Sequence, residues 1–411
     1  GGGAYEDQAL AVATHSIASG IYVSGSYQTN ATFGTSTFND STSTNRFFIA
    51  KYDNSGNFIW AGTVSGAGPS QGRALACDAG NFVFAGGTSA GQPNFAGNVL
   101  ASTGALSGFV VKYSSGGNIV SWARRFGTAT NTPTLPQRVN GLAVDTNNNV
   151  LVTGEFQGDV IFTGTNALSS LGTNQPDGFL LKIDGNGNPQ WARTINGPGS
   201  DAANAVSVDR VGNAYVTGSF SNNAAIGNTI LKGAGGQEAF AALFDVTGNL
   251  VKARRAGGVR DDAGQAASTD GKGNLFVAGY HSAPAAFGSN SLANSGGRDA
   301  FLTKLTLFAT NGPPQITTQP RSQSVALGSN VNFSVGCVSP SPVAYQWRRF
   351  GTNISGATSN SFTLLNAQAA TIGEFTVRVQ NASPPPNAVT SEVAMLSLEL
   401  TPEFLWLRRS G

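Results

Sequence analysis

The segment NVLVTGEF at residues 149–156 has four close counterparts elsewhere in this chain of 411 residues. One glycine holds the same place in all five segments, and successive copies of it lie 61, 68, 64 and 61 residues apart. The counterparts are GIYVSGSY (20–27), NFVFAGGT (81–88), NAYVTGSF (213–220) and NLFVAGYH (274–281). Such a fixed period predicts a repeat architecture, in which each repeat buries its apolar surface against its neighbours.

Each repeat contains four strand-sized runs, and the third copy shows them most clearly. The runs are NGLAVD (140–145), NVLVTGEF (149–156), DGFLLKID (177–184) and NPQWARTI (188–195). Apolar residues alternate along them, which is typical of half-buried antiparallel strands. The turns follow the pattern Asp-x-x-Gly-Asn, which favours tight hairpins because aspartate accepts backbone N–H groups and glycine adopts positive φ. The sequence therefore predicts an all-β fold whose first part is a β-propeller of five four-stranded units.

The repeats resemble the bacterial β-propeller repeats known as SBBP repeats, whose pattern runs roughly DAFVAKLD-x-x-GN-x-x-WA-R and then GN-x-YVTG-x-F. The segments FIAKYDNSGNFIWA (48–61) and GFLLKIDGNGNPQWAR (178–193) carry this resemblance, which covers residues 1–305. The fourth copy departs from the pattern, because Leu243 stands in place of the lysine and Lys252 in place of the tryptophan. We therefore expect the fourth blade to be looser than the others.

The expected propeller occupies residues 1–310 and divides into five units, the last of them shorter than the others. The units are 1–68, 69–130, 131–199, 200–260 and 261–310. The last unit ends at DAFLTKLTL (299–307) and lacks a fourth run. A fourth run supplied from upstream of residue 1 would complete that blade. We therefore expect that the chain begins inside a longer sequence and that the five units form a ring or part of a larger one.

A proline-rich linker at 311–320 separates the repeats from a second expected domain at 321–400, and residues 401–411 form a tail that fits no strand pattern. The segments 328–356 and 371–381 resemble strands B, C and F of an immunoglobulin-like β-sandwich. The resemblance implies that three residues lie in the core of this sandwich and that the sandwich lacks the inter-sheet disulfide. These are Trp347 on strand C, and Val335 and Val377 in place of the two cysteines.

Composition limits the function. Charged residues make up 11% of the chain, against roughly 25% in an average soluble domain. The net charge is only +2, so we expect no nucleic-acid partner. No run of 18 apolar residues occurs, so we expect no transmembrane segment. Low charge, many Asn, Ser and Thr residues and only two cysteines predict an extracellular or cell-surface protein.

Candidate binding residues recur at equivalent places in the repeats. Four lysines could form a ring that binds anions, although we favour the interpretation that their stems cover apolar strand surface while the ammonium groups reach water. Tyr27 and Tyr280 are candidates for contact with a polysaccharide or protein. The four lysines are Lys51, Lys112, Lys182 and Lys304.

The Asp-x-x-Gly-Asn turns also resemble calcium loops superficially. Each turn supplies too few oxygen ligands by itself, so we favour a purely structural turn and keep calcium as the alternative. The candidate calcium ligands are Asp53, Asp184, Asp209 and Asp270. We expect no other cofactor.

No catalytic motif accompanies the repeats, and we expect no catalytic residue. Carboxylates from different blades could still converge as they do in a lyase or glycosidase. Those considered are Glu155, Asp159, Asp177, Glu238, Asp261 and Asp262. The first hypothesis is therefore a non-catalytic binding or scaffold protein whose propeller loops engage a polysaccharide or protein. The alternatives are a propeller-type lyase or glycosidase and a structural subunit of a surface layer or filament.

Overall fold

The structure is a computed structural model, and all regular elements in its described residues are β-strands. The chain divides into two compact parts, Gly1–Leu307 and Phe308–Gly411, which we call the repeat part and the C-terminal part. The tail expected at 401–411 lies outside the described residues. The described residues are 5–15, 20–40, 44–80, 82–100, 106–117, 120–128, 137–162, 166–171, 175–271, 273–307, 313–339, 342–381 and 387–399.

The repeat part is built from antiparallel strands in the order of the sequence repeats, and the main strands of repeats 3 and 4 are joined in one eight-stranded sheet. Repeat 1 contains β1 (Gln8–His15), β2 (Gly20–Tyr27), β3 (Asn30–Phe33), β4 (Ser36–Asn39), β5 (Arg46–Tyr52) and β6 (Phe58–Thr63). Repeat 2 contains β7 (Ser70–Cys77), β8 (Phe82–Ser89), β9 (Asn94–Phe95), β10 (Asn98–Val99), β11 (Ser107–Ser114) and β12 (Val120–Thr128). Repeat 3 contains β13 (Arg138–Val144), β14 (Val150–Phe156), β15 (Asp159–Phe162), β16 (Asn166–Ser169), β17 (Asp177–Ile183) and β18 (Pro189–Asn196).

Repeats 4 and 5 follow the same plan with small differences. In repeat 4 the second and third strands are long enough to include the hairpin that is separate elsewhere. Repeat 5 shows three main strands among the described residues. Repeat 4 contains β19 (Ala202–Val208), β20 (Ala214–Ile226), β21 (Thr229–Phe244) and β22 (Leu250–Ala256). Repeat 5 contains β23 (Asp262–Thr269), β24 (Asn274–His281), β25 (Ala285–Phe287), β26 (Asn290–Leu292) and β27 (Asp299–Thr306).

The sheets pack face to face in chain order. The first strand of each repeat packs on the first strand of the next, from β1 on β7 through to β19 on β23. A central strand is therefore covered on both faces, and β17 is buried along its whole length. This differs from the half-buried strands that alternation predicts, because the second face is covered by residues from the neighbouring repeat.

The link between the second and third strands is a hairpin that reaches back to the preceding repeat. Hairpin strand β15 pairs with β12, the last strand of repeat 2. The hairpin end of β20 pairs with β18 in the same way. Single bridges join Ser65 to Asn94 and Gly257 to Ala286 at the two remaining contacts. Each repeat is thus tied to its predecessor by backbone pairing as well as by packing.

The described part of the chain shows an open series of sheets, because no strand of repeat 5 pairs there with a strand of repeat 1. The two ends of the series expose apolar side chains. Val12 on β1 is 66% exposed, and Leu302 on β27 is 76% exposed. We call the outer side of β1, with Leu10 and Val12, the first end face. We call the outer side of β27, with Leu302, the last end face.

The C-terminal part forms one six-stranded sheet and two strand pairs around Trp347. One sheet has the strand order β29-β37-β35-β32-β33 with β36 beside β35, and the facing strands pair as β28-β31 and β30-β34. The strands are β28 (Gln315–Thr318), β29 (Gln323–Val325), β30 (Val331–Ser334), β31 (Gly336–Val338), β32 (Val343–Arg349), β33 (Thr352–Asn353), β34 (Ser361–Leu364), β35 (Gly373–Asn381), β36 (Ala388–Thr390) and β37 (Ala394–Leu398).

The core of the C-terminal part has no disulfide, and both cysteines of the chain are free thiols. Trp347, Val335 and Val377 are fully buried in one cluster. The indole Nε1 of Trp347 donates to the carbonyl oxygen of Ser359 at 2.9 Å. This satisfies the one polar atom of the ring, so the tryptophan fills the space between the sheets without an unpaired donor.

Candidate functional site

The repeated lysines and tryptophans act at the contacts between successive repeats. Lys112 Nζ and Trp122 Nε1 both donate to the carbonyl oxygen of Gly185 in the next repeat, at 2.9 and 3.0 Å. Lys51 Nζ and Trp60 Nε1 share the carbonyl oxygen of Ser115 in the same way, at 3.0 and 3.2 Å. In each case two donors from one repeat hold the hairpin turn of the following repeat.

The remaining lysines show how this contact changes along the series. Lys182 pairs with Asp145 at 2.9 Å, within its own repeat. Leu243, which replaces the lysine in repeat 4, is fully buried. Lys304 is exposed, with its Nζ 5.6 Å from the centroid of the Phe276 ring. Burial lowers the pKa of Lys51. The structure thus places Lys51, Lys112 and Lys182 in inter-strand and inter-repeat bonds, where they are buried, so the interpretation that their ammonium groups reach water is wrong for these three.

The turn aspartates bind their own turns. Asp53 Oδ1 accepts the backbone N–H groups of Ser55 and Asn57, both at 2.8 Å, and its Oδ2 accepts the Asn57 side-chain amide. The side-chain bond from Asn57 is the largest cause of the lowered pKa of Asp53. Asp184 and Asp209 make the same set of bonds, and Asp270 accepts the backbone N–H and the side-chain amide of Asn274. This geometry accounts for all four aspartates as turn residues, and calcium at these turns stays a prediction.

Both candidate tyrosine rings are in contact with a side chain of the protein. Tyr27 is 2% exposed, stacks on Phe38 and shares a hydrogen bond of 3.0 Å with the Thr63 hydroxyl. Tyr280 is half-buried, and the guanidinium of Arg298 lies 4.3 Å from the centroid of its ring. Polysaccharide recognition by stacking on these rings therefore has little support from the described geometry.

The carboxylates considered for catalysis do not converge on an open cleft. Asp177 opens the third strand of repeat 3 and Glu238 lies within the third strand of repeat 4, and both are fully buried. Each lies beside a buried aspartate of the following repeat, Asp201 for the first and Asp262 for the second. Sequence reasoning missed Asp201. Its signal was available, because it holds the same place in repeat 4 that Asp262 holds in repeat 5.

Other candidate groups are also structural. Glu155 pairs with Arg138 at 3.2 Å across neighbouring strands. His281 is buried, with Nδ1 2.9 Å from the carbonyl oxygen of Ala283. A cavity of about 170 Å³ between repeats 4 and 5 is lined mainly by apolar groups, including Phe240 and Phe301. Within the described residues, no group of three His, Cys, Asp or Glu side chains is arranged to hold a metal ion.

Two family models match parts of this chain. The Beta-propeller repeat called SBBP matches residues 190–222, and the Immunoglobulin domain called Ig_3 matches residues 313–381. The chain therefore carries a β-propeller repeat of the type that its sequence resembles, followed by an immunoglobulin domain. Repeat and immunoglobulin-like domains of these kinds are generally non-catalytic, and they fit a binding or scaffold role. Immunoglobulin-like domains often occur in extracellular proteins.

One curated relative is an uncharacterized WD repeat-containing protein, L264, of Acanthamoeba polyphaga mimivirus. It is 32% identical over 125 residues, which is 29% of this chain and 9% of the relative. The chain thus spans less than a tenth of the length of that protein.

Solved structures that match part of the chain include fragments of titin and twitchin. A chimeric titin Z1Z2 is 21% identical and covers 21% of this chain and 95% of its own, with a TM-score of 0.19. The twitchin kinase region from C. elegans is 18% identical and covers 24% of this chain and 18% of its own, with a TM-score of 0.20. These scores are too low to support an argument. In the part of the chain that the structure describes, no helix has the length and apolar character needed to cross a membrane.

Proposed function

We propose that this protein is a non-catalytic extracellular binding and scaffold protein whose repeat part assembles with a second copy of the chain. The observation that supports this most directly is the pair of exposed apolar end faces. Large exposed apolar patches on proteins commonly mark interaction sites. A propeller-like ring, closed through a partner or within one chain, would cover both of them.

The first end face is exposed, whereas the equivalent side of the first strand in inner repeats is covered by the preceding repeat. Val12 holds the same place on the first strand as Leu142 and Val206, which are 8% and 7% exposed, whereas Val12 is 66% exposed. Leu142 packs against Phe84 of the preceding repeat. Val12 therefore points to where a preceding repeat would lie.

The last end face is the side of the third strand that a following repeat covers in the inner repeats. Leu302 holds the same place on the third strand as Leu180, which is fully buried against Val206 of the following repeat. Leu302 is 76% exposed because no described repeat follows it. Covering a leucine of this kind contributes about 1.5–3 kcal/mol.

Polar groups at the two end faces match as well. Asp299 accepts the backbone N–H of Ser295, as Asp177 accepts that of Leu171 in the contact between repeats 3 and 4. Asp7 accepts the backbone N–H of Gln28 at 3.2 Å, as Asp201 accepts that of Ser221. Joining the two end faces would therefore place two carboxylates side by side, as at the contact between repeats 3 and 4. The apolar match of Val12 and Leu302 to the inner contacts favours a second copy over an unrelated partner, and a protein partner over a polysaccharide.

Sedimentation velocity of the full chain over a hundredfold range of concentration tests this proposal. We expect the mean mass to rise with concentration, and Leu302→Glu and Val12→Glu to abolish the rise. Ile230→Glu is the matched control, since Ile230 is 67% exposed on a hairpin outside both end faces. A monomer at every concentration would overturn assembly. If Leu302→Glu also lowered the Tm of that monomer, the two faces would instead close on each other within one chain.

A further inference from the structure

The third strand of repeat 5 has an open edge. In repeats 1 to 4 the third strand pairs with the second strand on one side and with the fourth strand on the other. β27 pairs with β24, and no described strand pairs with its other edge. Thr303 and Leu305 are only half-buried, whereas the equivalent Leu181 and Ile183 of repeat 3 are fully buried. An unpaired edge presents backbone N–H and C=O groups that can pair with a strand from another chain.

The cavity of about 170 Å³ between repeats 4 and 5 lies beside this edge. On β27 it is lined by Phe301, Thr303 and Leu305, and Ala241 of repeat 4 lines the opposite side. In the inner repeats, side chains of the fourth strand occupy the corresponding space, because the residues opposite these three β27 positions face the preceding repeat. The cavity is therefore the space that a fourth strand of repeat 5 would fill.

The size of the missing side chain can be inferred from the inner contacts. There an alanine of the fourth strand shares a buried cluster with a larger residue of the preceding repeat. The combinations are Ala123 with Ile49, Ala192 with Val110 and Ala253 with Leu180. In the contact between repeats 4 and 5 the residue of the preceding repeat is Ala241, the counterpart of Ile49, Val110 and Leu180. The sizes are thus reversed, and the incoming strand needs a large apolar residue at the place of the alanine.

The tail of the chain carries the sequence of a fourth strand. FLWLRR (404–409) aligns with FIWAGT (58–63), VSWARR (120–125) and LVKARR (250–255), which belong to β6, β12 and β22. Simple alternation does not reveal this, because fourth strands skip one residue, as where Tyr113 pairs with Val120 but Lys112 with Trp122. In this alignment Leu407 stands at the place of the alanine. The tail therefore has the large residue that the cavity beside Ala241 needs.

The register of the inner repeats gives the tail a suitable partner at a second place. Trp406 would fall opposite Lys304, as Trp122 falls opposite Lys112 in repeat 2. Lys304 is exposed in the described structure, unlike its buried counterpart Lys112. A tryptophan ring at this place would cover the apolar stem of the lysine.

Charge at the edge is complementary as well. Asp299 opens β27, and no ion pair among the described residues includes it. In repeat 4 the equivalent carboxylate, Glu238, has Arg255 of the fourth strand at 3.1 Å. Arg409 holds the place of Arg255 in the alignment, so it would bring a guanidinium to Asp299 in the same way.

We propose that residues 404–409 of a second copy of the chain pair with the open edge of β27 and act as the fourth strand of repeat 5. Leu407 fills the cavity, and Arg409 supplies the counter-charge of Asp299. Each copy carries one such edge and one such segment, so exchange between copies satisfies both. This inference rests on the proposed assembly between copies, and it uses an edge of the sheet where that assembly uses the end faces.

Fluorescence anisotropy with a labelled peptide of residues 401–411 tests the pairing. The receptor is the full chain carrying Leu407→Asp, so that its own tail does not compete. We expect saturable binding of one peptide per chain. A peptide with the same Leu407→Asp change is the matched control and should bind about tenfold or more weakly, because it buries a charge in the cavity. Asp299→Asn in the receptor should weaken binding and reduce its dependence on salt.

Exchanging the sizes of two side chains tests the register. Ala241→Leu in the receptor fills the cavity and should weaken binding of the natural peptide about tenfold. A peptide with Leu407→Ala should bind this variant better than the natural peptide does, because the pair then resembles Leu180 and Ala253. Equal binding of both peptides to both receptors would overturn the proposed placement. Thr303→Leu serves as the second receptor variant if Ala241→Leu fails to fold.

Val12→Glu separates this inference from the proposed function. This change lies on the first end face, so it should abolish assembly through the end faces and leave the peptide affinity unchanged. Absence of peptide binding in a chain whose mean mass still rises with concentration would overturn the strand pairing and leave the proposed function standing. A chain that binds the peptide yet stays monomeric at every concentration would overturn the assignment of the strand to a second copy.

Discussion

At the scale of single residues, the repeated polar side chains act across the contact to the next repeat. Lys112 and Trp122 hold one carbonyl oxygen, that of Gly185. From the sequence, the alternation of apolar residues places both residues on strands, and a lysine on a strand is expected to extend its ammonium group into water. The observed acceptor, Gly185, lies 73 residues beyond Lys112 in the chain, so no local sequence pattern could indicate it.

Replacing Trp122 tests this contact. Trp122→Phe keeps an aromatic ring but removes the Nε1 donor, and should cost about 1 kcal/mol of unfolding free energy. Trp122→Ala also leaves a cavity and should cost about 3 kcal/mol or more. Urea unfolding followed by far-UV circular dichroism measures both. Ile59→Ala at a 47% exposed position is the control and should change stability little.

The raised pKa of Asp201 gives a pH dependence with a definite sign. Its pKa in the folded protein is about 8, above its ordinary value of 3.8, so the folded state holds a proton that the unfolded state has lost. The associated stability is complete below about pH 4 and is lost as the pH rises through about 8. The urea midpoint of unfolding should therefore fall between pH 5 and pH 9 because of this group. Asp201→Asn should flatten that part of the profile, and an unchanged slope in the variant would contradict this assignment.

At the scale of strands, a repeated bulge explains the repeated glycine. The first strand of each repeat has an irregularity at an equivalent place, such as Val139/Gly141 in β13. At this irregularity, carbonyl groups of the first strand come close to the second strand. A Cβ on Gly154 of β14 would lie 1.8 Å from the carbonyl oxygen of Arg138 of β13. Gly218 faces the oxygen of Ala202 in the same manner, at 1.9 Å. Backbone approach therefore requires the repeated glycine in repeats 1, 3, 4 and 5. In repeat 2 this place is held by Gly87, where a Cβ would lie 1.9 Å from the oxygen of Gln71, and not by Gly86.

This close approach predicts a large difference between two alanine substitutions. Gly154→Ala should destabilise the protein by about 3 kcal/mol or more, because backbone must move to admit the methyl group. Gly116→Ala should be close to neutral, since nothing lies within 4 Å of a Cβ there. Thermal unfolding by calorimetry compares the two. Equal Tm values for the two variants would contradict the described register.

The sequence predicted some elements well and others incompletely, for a physical reason. Hairpins closed by Asp-x-x-Gly-Asn, such as the turn at Asp184, depend on neighbouring residues and could be predicted. The link at 157–176 varies in length and suggested no structure, yet its described residues include β15, which pairs with the preceding repeat. That pairing requires β12 of the preceding repeat, so the sequence of the link alone could not predict it. The contact of Asp177 with Asp201 likewise depends on two repeats, although the alignment of Asp201 with Asp262 was available in the sequence.

At the scale of the whole molecule, the repeat part is a series whose inner contacts are complete and whose ends are open. Inside the series, Leu180 is fully buried by the next repeat, while the equivalent Leu302 is 76% exposed. The immunoglobulin domain adds a second fold, with Trp347 at its core and no disulfide. Reducing agent should therefore leave the Tm of the full chain unchanged, which calorimetry with and without dithiothreitol would check.

Binding of the two end faces to each other, between copies of the chain, would cover the apolar side chains that the series leaves open. Hydrogen exchange followed by mass spectrometry detects such binding strand by strand, by comparing the full chain at low and high concentration. We predict that peptides from β1 (Gln8–His15) and β27 (Asp299–Thr306) gain protection at high concentration, while peptides from β17 (Asp177–Ile183) do not change. Concentration-independent exchange in both β1 and β27 would contradict assembly through the end faces.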